Sequence, residues 1–239
     1  NGRLVKYRMS EVPVSGYTVS TSDENYNITN THTPATTFIS VKKTWDDANN
    51  QDGKRPKTII FNLFQNNILK ESKIVSEQDG WSTVFKDLPV YTAGQKNTYS
   101  VKEAEIDFYK SSVEINDART VYVFTNTHKP AKISIPVTKV WKDSNNQDGM
   151  RPESITVKLL INNEPTEKTL KLSEENHWTA SFTDLDQYAD GKEILYTVTE
   201  ENVSDEYHPS ITGSVAEGFE ITNTHDPATK DISGTKTWD

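Results

Sequence analysis

The chain has 239 residues, no cysteine and a formal net charge of -9 at pH 7. That length allows one to three domains, the acidic balance argues against a nucleic-acid or anionic-membrane partner, and a secreted domain without cysteine must be stabilised by something other than disulfides. No apolar run is long enough to span a bilayer and no signal peptide is present, but a chain opening on Asn1 rather than Met reads as an internal fragment, for which missing targeting signals say little.

In chain order, "YRMSE" (7–11) sets Tyr7, Met9 and Glu11 on one face of a strand, and "YNITNTHTP" (26–34) does the same for Tyr26, Ile28 and Asn30. In "ISVKKTWDD" (39–47), Ile39, Val41 and Trp45 alternate as in a half-buried strand, and Lys43 falls on that apolar face while Lys42 falls on the other. The following "DDANNQDG" resembles a calcium loop. Asp47, Asn49 and Asp52 are out of phase with the EF-hand pattern, however, and no acid follows at the required spacing, so it reads as a polar turn with no metal. "TIIFNLFQN" and "NILKESKIV" read as a hairpin across Asn66–Asn67, and "GWSTVFKDL" as a further strand whose Trp81 belongs to the core. "YSVKE" aligns Tyr99, Val101 and Glu103, and the terminal strand aligns Tyr122, Phe124 and Asn126.

The whole series then returns. Lys43, Lys139 and Lys236 recur at spacings of 96 (139 - 43) and 97 (236 - 139). "NNQDGKRP" matches "NNQDGMRP", "WSTVFKDL" matches "WTASFTDL", "YSVKEAE" matches "YTVTEEN", and "TNTH" occurs three times. The period is one small domain rather than a solenoid repeat. The frame predicts two complete repeats, 36–131 and 132–229. Residues 1–35 then form the back end of a preceding repeat, and 230–239 the first strand of a following one. Neighbouring repeats are the expected partners of each module. The joints contain Pro34, Pro130 and Pro227 and are short, which predicts closely spaced beads. His32, His128 and His225 each follow a terminal strand and read as junction residues without zinc spacing.

Many short strands and no long segment of helical period predict an all-β fold, a tandem array of sandwiches. Each repeat also aims one Lys, one Glu and one Asn into its core: Lys43, Glu103 and Asn126, then Lys139, Glu200 and Asn223. Unpaired buried charges are very costly. One reading is a buried Lys–Glu ion pair with Asn completing the network. The other is chemical. Burial lowers a lysine pKa and raises a glutamate pKa, so the pair can sit as neutral amine and neutral acid. The amine can attack the Asn carbonyl while Glu moves the proton, ammonia leaves, and an isopeptide bond joins first strand to last. No cofactor is required.

The K-x-W strand, the "NNQDGxRP" loop, the Y-[ST]-V-x-E strand and the terminal "TNTH" together resemble Cna B-type repeats, stalk modules of Gram-positive surface adhesins and pilins. The resemblance covers essentially the whole chain. It implies a reversed immunoglobulin-like, prealbumin-like sandwich and self-generated Lys–Asn bonds assisted by an acidic residue. It places the bonds at Lys43–Asn126 and Lys139–Asn223, with Glu103 and Glu200 as proton shuttles. Glu11 and Asn30 at one end, and Lys236 at the other, are the corresponding residues of the incomplete repeats and have no complete site around them. Glu105 is a rival on the face of Glu103, and Glu201 a rival on the opposite face from Glu200. The resemblance also implies an extracellular, wall-anchored bacterial parent whose contacts with host matrix lie in domains outside this chain. Direct matrix binding by the repeats is the alternative. A glycosidase built on paired carboxylates is disfavoured, because the same acid returns in every repeat.

Overall fold

The computed structural model of the protein describes residues 2–22 and 24–239. An antiparallel hairpin, β1 (Thr18–Thr21) and β2 (Ile28–Thr31), comes first. The chain then divides into two compact units, one of residues 1–46 and 56–127, the other of residues 47–55 and 128–239.

The first unit contains β3 (Thr36–Asp46), β4 (Thr58–Gln65), β5 (Ile68–Ser76), β6 (Ser82–Pro89), the two-residue β7 (Tyr91–Thr92) and β8 (Gln95–Lys96), β9 (Tyr99–Glu103), β10 (Lys110–Ile115) and β11 (Val121–Thr127). One sheet has the order β10-β11-β3-β6 and the other β5-β4-β9. First strand β3 and last strand β11 are neighbours and run parallel. Alternation builds the core: Ile39 and Val41 from β3, Phe61 and Leu63 from β4, Phe85 from β6 and Tyr122 from β11 are buried together. The β4–β5 turn places Asn66 and Asn67 at φ 50° and 67°, the left-handed pair of a tight hairpin turn and the reason for two asparagines there.

The second unit repeats this arrangement with β12 (Lys132–Lys142), β13 (Ser154–Ile161), β14 (Glu164–Ser173), β15 (Thr179–Asp186), β16 (Tyr188–Ala189), β17 (Lys192–Glu193), β18 (Tyr196–Glu201), β19 (His208–Ser214) and β20 (Gly218–Thr224). Its sheets are β15-β12-β20-β19 and β14-β13-β18, again with first and last strands parallel. Among the described residues the helical pieces are the single 3-10 turns Glu77–Asp79 and Glu174–Asn176, and no helix is long and apolar enough to cross a membrane.

Two sequence patterns form no strand. Residues 7–11 and 232–238 run without regular structure. In a complete repeat their counterparts are held by neighbours, β9 by β4 and β3 by both β6 and β11, and among the described residues neither segment is paired with such a strand. Alternation alone does not satisfy a strand's backbone.

The calcium-like loops are closed by their own side chains. Asp47 accepts from Arg55 Nε at 3.0 Å and Nη2 at 2.6 Å, and from the Asn50 amide at 3.0 Å. Asp143, Arg151 and Asn146 repeat these contacts. Within the second unit, Asp52 accepts the Ala131 amide at 2.8 Å and lies 2.9 Å from His128 Nε2, which therefore carries the proton. Asp148, His225 and Ala228 form the same clamp further along. The loop is seated tightly: a Cβ on Gly53 would lie 2.6 Å from Gly191 Cα, and Gly53 has φ +67°. Left-handed backbone alone costs a non-glycine residue about 1–2 kcal/mol. Gly53→Ala should therefore loosen the loop and speed amide exchange at Gly191, whose N–H donates to Gln51 O at 2.9 Å. Core amides of the same unit should keep their protection.

Candidate functional site

In each unit the inward polar residues come from three strands in two facing sheets. Lys43 sits on β3, opposite Phe124 of β11, and Asn126 lies two residues further along β11 on the same face. Glu103 ends β9 in the other sheet, opposite Phe61. Lys139, Asn223 and Glu200 have the equivalent places on β12, β20 and β18. The strand alternation that buries Val41 and Val101 thus delivers a cation, an anion and an amide into one apolar layer.

The burial is nearly complete. Lys43 is 3% exposed, Asn126 1%, Lys139 4% and Asn223 0%, and the Glu103 and Glu200 side chains are each 4% exposed. Lys43 Nζ lies 2.9 Å from Glu103 Oε1 and donates to Oε2 at 3.2 Å. Lys139 Nζ lies 3.2 Å from Glu200 Oε1 and donates to the Ile221 carbonyl at 3.4 Å. Burial pulls the Lys43 ammonium below its ordinary pKa against the opposing pull of Glu103. It takes Lys139 down to about 8, against Glu200 and Asp143. Lys139 is thereby brought close to the range in which it supplies a neutral amine, and burial shifts Lys43 in the same direction.

The amides are the anomaly. Asn126 Oδ1 is buried without a hydrogen-bond partner, and both side-chain polar atoms of Asn223 are. A stranded buried acceptor or donor costs about 1–3 kcal/mol. In two units the same residue type is stranded at the same place, beside a lysine.

Aromatic rings wall the site. Trp45 meets Trp81 and Tyr109 edge-on, with ring centroids 5.2 and 5.0 Å apart, and Lys43 Nζ is 4.7 Å from the Trp45 ring centroid. Trp141, Trp178, Tyr207 and Lys139 repeat the cluster, with Lys139 at 4.4 Å. Trp81, expected as a plain core residue, and its counterpart Trp178 sit at φ 54° and 60° and pack their rings against the tryptophan of the first strand. The wall excludes water, which any amine nucleophile needs to escape protonation.

The rival acids lie elsewhere. Glu105 follows the end of β9 and is exposed. Glu201 points outward and pairs with Lys158 at 2.7 Å. In the N-terminal segment the Glu11 carboxylate accepts two contacts from Asn30 Nδ2, at 3.0 and 2.9 Å, in an exposed setting and, among the described residues, with no lysine paired to Glu11. Lys236 is exposed, with Nζ over the Trp238 ring at 3.1 Å. Glu11, Asn30 and Lys236 do not form a site together. Among the described residues no group of three or more His, Asp or Glu side chains could hold a metal.

Residues 39–127 and 135–224 each match the Cna protein B-type domain family. The chain is 39% identical over 242 residues to a collagen adhesin of Staphylococcus aureus, matching along all of its own length and 20% of that relative's. The chain therefore spans about a fifth of the curated relative. Among solved structures it is similar to two B repeat units of the collagen binding protein Cna of Staphylococcus aureus. There the identity is 38% and the TM-score 0.66, over 90% of this chain and 56% of that one.

Proposed function

The chain belongs to the Cna protein B-type domain family, and from that footing we propose that its two complete repeats are stalk modules of a bacterial surface adhesin, each sealed by a Lys–Asn isopeptide bond. The observation that supports this most is the stranded Asn126 and Asn223 amides, buried beside a desolvated lysine and a buried glutamate. The neutral Lys Nζ attacks Asn Cγ. Glu, starting as the acid, gives its proton to the departing amide nitrogen and takes one from the attacking nitrogen. The Cγ–Nδ2 bond breaks, one ammonia leaves, and Glu is regenerated as the acid. Each site acts once, so the repeat is its own substrate rather than an enzyme. The bond would close a loop of 84 residues in the first repeat (126 - 43 + 1) and 85 in the second (223 - 139 + 1). Contacts of the parent protein with collagen or other matrix belong to domains outside these repeats.

The decisive measurement is the intact mass of the denatured chain. The expected result is a deficit of one ammonia per complete repeat against the mass of the sequence, with cross-linked peptides joining Lys43 to Asn126 and Lys139 to Asn223. A mass equal to that of the sequence would overturn the proposal and leave the lysines as buried ion-pair partners.

A further inference from the structure

The two sites differ at one cross-strand position. Opposite Asn126, on β10, stands Ser111. Opposite Asn223, on β19, stands Pro209. Ser111 Oγ donates to Glu103 Oε2 at 3.0 Å, the oxygen that also receives Lys43 Nζ. Proline offers no hydroxyl and no N–H, and both Glu200 carboxylate oxygens are buried with no hydrogen bond. Among the described residues Glu200 is held by the charge of Lys139, at 3.2 Å, while Glu103 has a charge and a hydroxyl. Ser111 is itself exposed and links that carboxylate towards water.

A hydroxyl donates more strongly to a carboxylate than to a carboxylic acid. The bond-forming state needs the acid, with the proton moved from Lys to Glu. Against Glu103 stand the Lys43 charge from β3 and the Ser111 hydroxyl from β10, and Ser111 is paired in register with Asn126 of β11. Of these, Ser111 is absent from the second repeat. We propose that Ser111 is a positioning residue that holds Glu103 as its carboxylate and so slows closure of the Lys43–Asn126 bond relative to the Lys139–Asn223 bond. This rests on the cross-linking chemistry proposed above. The two repeats then seal at different speeds, the second ahead of the first, although their catalytic residues are the same.

The test follows bond closure in freshly translated full-length chain. Samples are quenched in denaturant at intervals, digested, and the two cross-linked peptides quantified separately by mass spectrometry. Wild type should close Lys139–Asn223 first. Ser111→Ala should speed closure of Lys43–Asn126 by roughly tenfold, the size expected for losing a hydrogen bond to a charged acceptor, and leave the other bond's rate unchanged. Pro209→Ser should slow the second bond. A merely structural contact predicts the opposite sign, because loosening a site slows its chemistry. Slower or unchanged closure of Lys43–Asn126 in Ser111→Ala would overturn the inference and leave the cross-linking itself intact. If neither bond forms in any variant, the cross-linking proposal fails separately, and the Lys43 Nζ nitrogen shift of the Asn126→Ala chain then decides the role of Ser111. On adding Ser111→Ala the signal should move towards that of a neutral amine; an unmoved signal overturns the inference.

Discussion

Asn126→Ala and Asn223→Ala should each abolish the ammonia deficit of their own repeat and lower its thermal stability by the full contribution of the bond. Each variant removes the electrophile and leaves the Lys–Glu pair in place, so the lost stability reports the bond rather than a stranded charge. Closing a loop of 84 residues is worth about 4–5 kcal/mol by the chain-entropy account used for disulfides. In a domain of this size each kcal/mol moves Tm by about 4–8 °C, so the midpoint should fall on the order of 20 °C. Resistance to proteolysis should fall with it, since the opened chain is what a protease cuts. Calorimetry of each variant beside wild type measures the shift, and an unchanged midpoint with no change in the ammonia deficit would sink the proposed bond. The two variants should also act independently, because each bond closes within its own repeat.

The second large effect is expected at Asp143. Its carboxylate is buried, 2% exposed, and grips Arg151 through two contacts while accepting the Tyr207 hydroxyl at 3.0 Å. Removing it leaves a guanidinium and a buried hydroxyl without their acceptor. Breaking one side of such a pair costs about 3–5 kcal/mol when fully buried, and Arg151, 23% exposed, can recover part of this from water. Asp143→Ala should therefore destabilise the second repeat by about 3 kcal/mol in denaturant titration. The acid limb gives a second signature. Arg151 first, then the Asn146 amide and the Tyr207 hydroxyl, hold Asp143 at about 2 rather than 3.8, against the effect of burial. A carboxylate whose folded pKa is depressed stabilises the fold fully above the unfolded value and loses that contribution as pH falls towards 2. Wild type should lose about 2 kcal/mol of the second repeat's stability across that window, and Asp143→Ala should lack that loss. Burial, with help from the same carboxylate, pushes the Tyr207 hydroxyl up to about 12, so it remains a donor through the ordinary titration range of a tyrosine.

The inward Lys, Glu and Asn were legible because strands have a period of two and because the chain states its pattern repeatedly. One inward lysine in "ISVKKTWDD" could be a snorkelling surface residue; the same placement in "IPVTKVWKD" could not easily be chance. The first hairpin announced itself through Asn66–Asn67, residues that tolerate left-handed backbone, and Asn162 and Asn163 take the same conformation in the second repeat. What stayed hidden depends on contacts between distant segments. Asp52 looked like part of a poor calcium loop, and its role was set by His128 and Ala131, far along the chain. Ser111 and Pro209 carried no signal of their own, and only the pairing register of β10 with β11 and of β19 with β20 puts them opposite the reactive amides. The strand patterns at 7–11 and 232–238 show the converse failure, since alternation is necessary for a strand and neighbours are what make one.

Within each repeat the three reactive side chains come from the first strand, the last strand and the facing sheet, so the full set assembles only when both sheets have formed and closed. On the proposed chemistry this makes the bond an irreversible memory of correct folding. A chain with one strand out of register places its lysine on the wrong face and keeps its ammonia. Once released, the ammonia diffuses away into bulk water, so later unfolding does not erase the mark. A population of these chains would carry in its mass distribution a count of how many repeats had ever reached the native register, legible long after the structure itself had been destroyed.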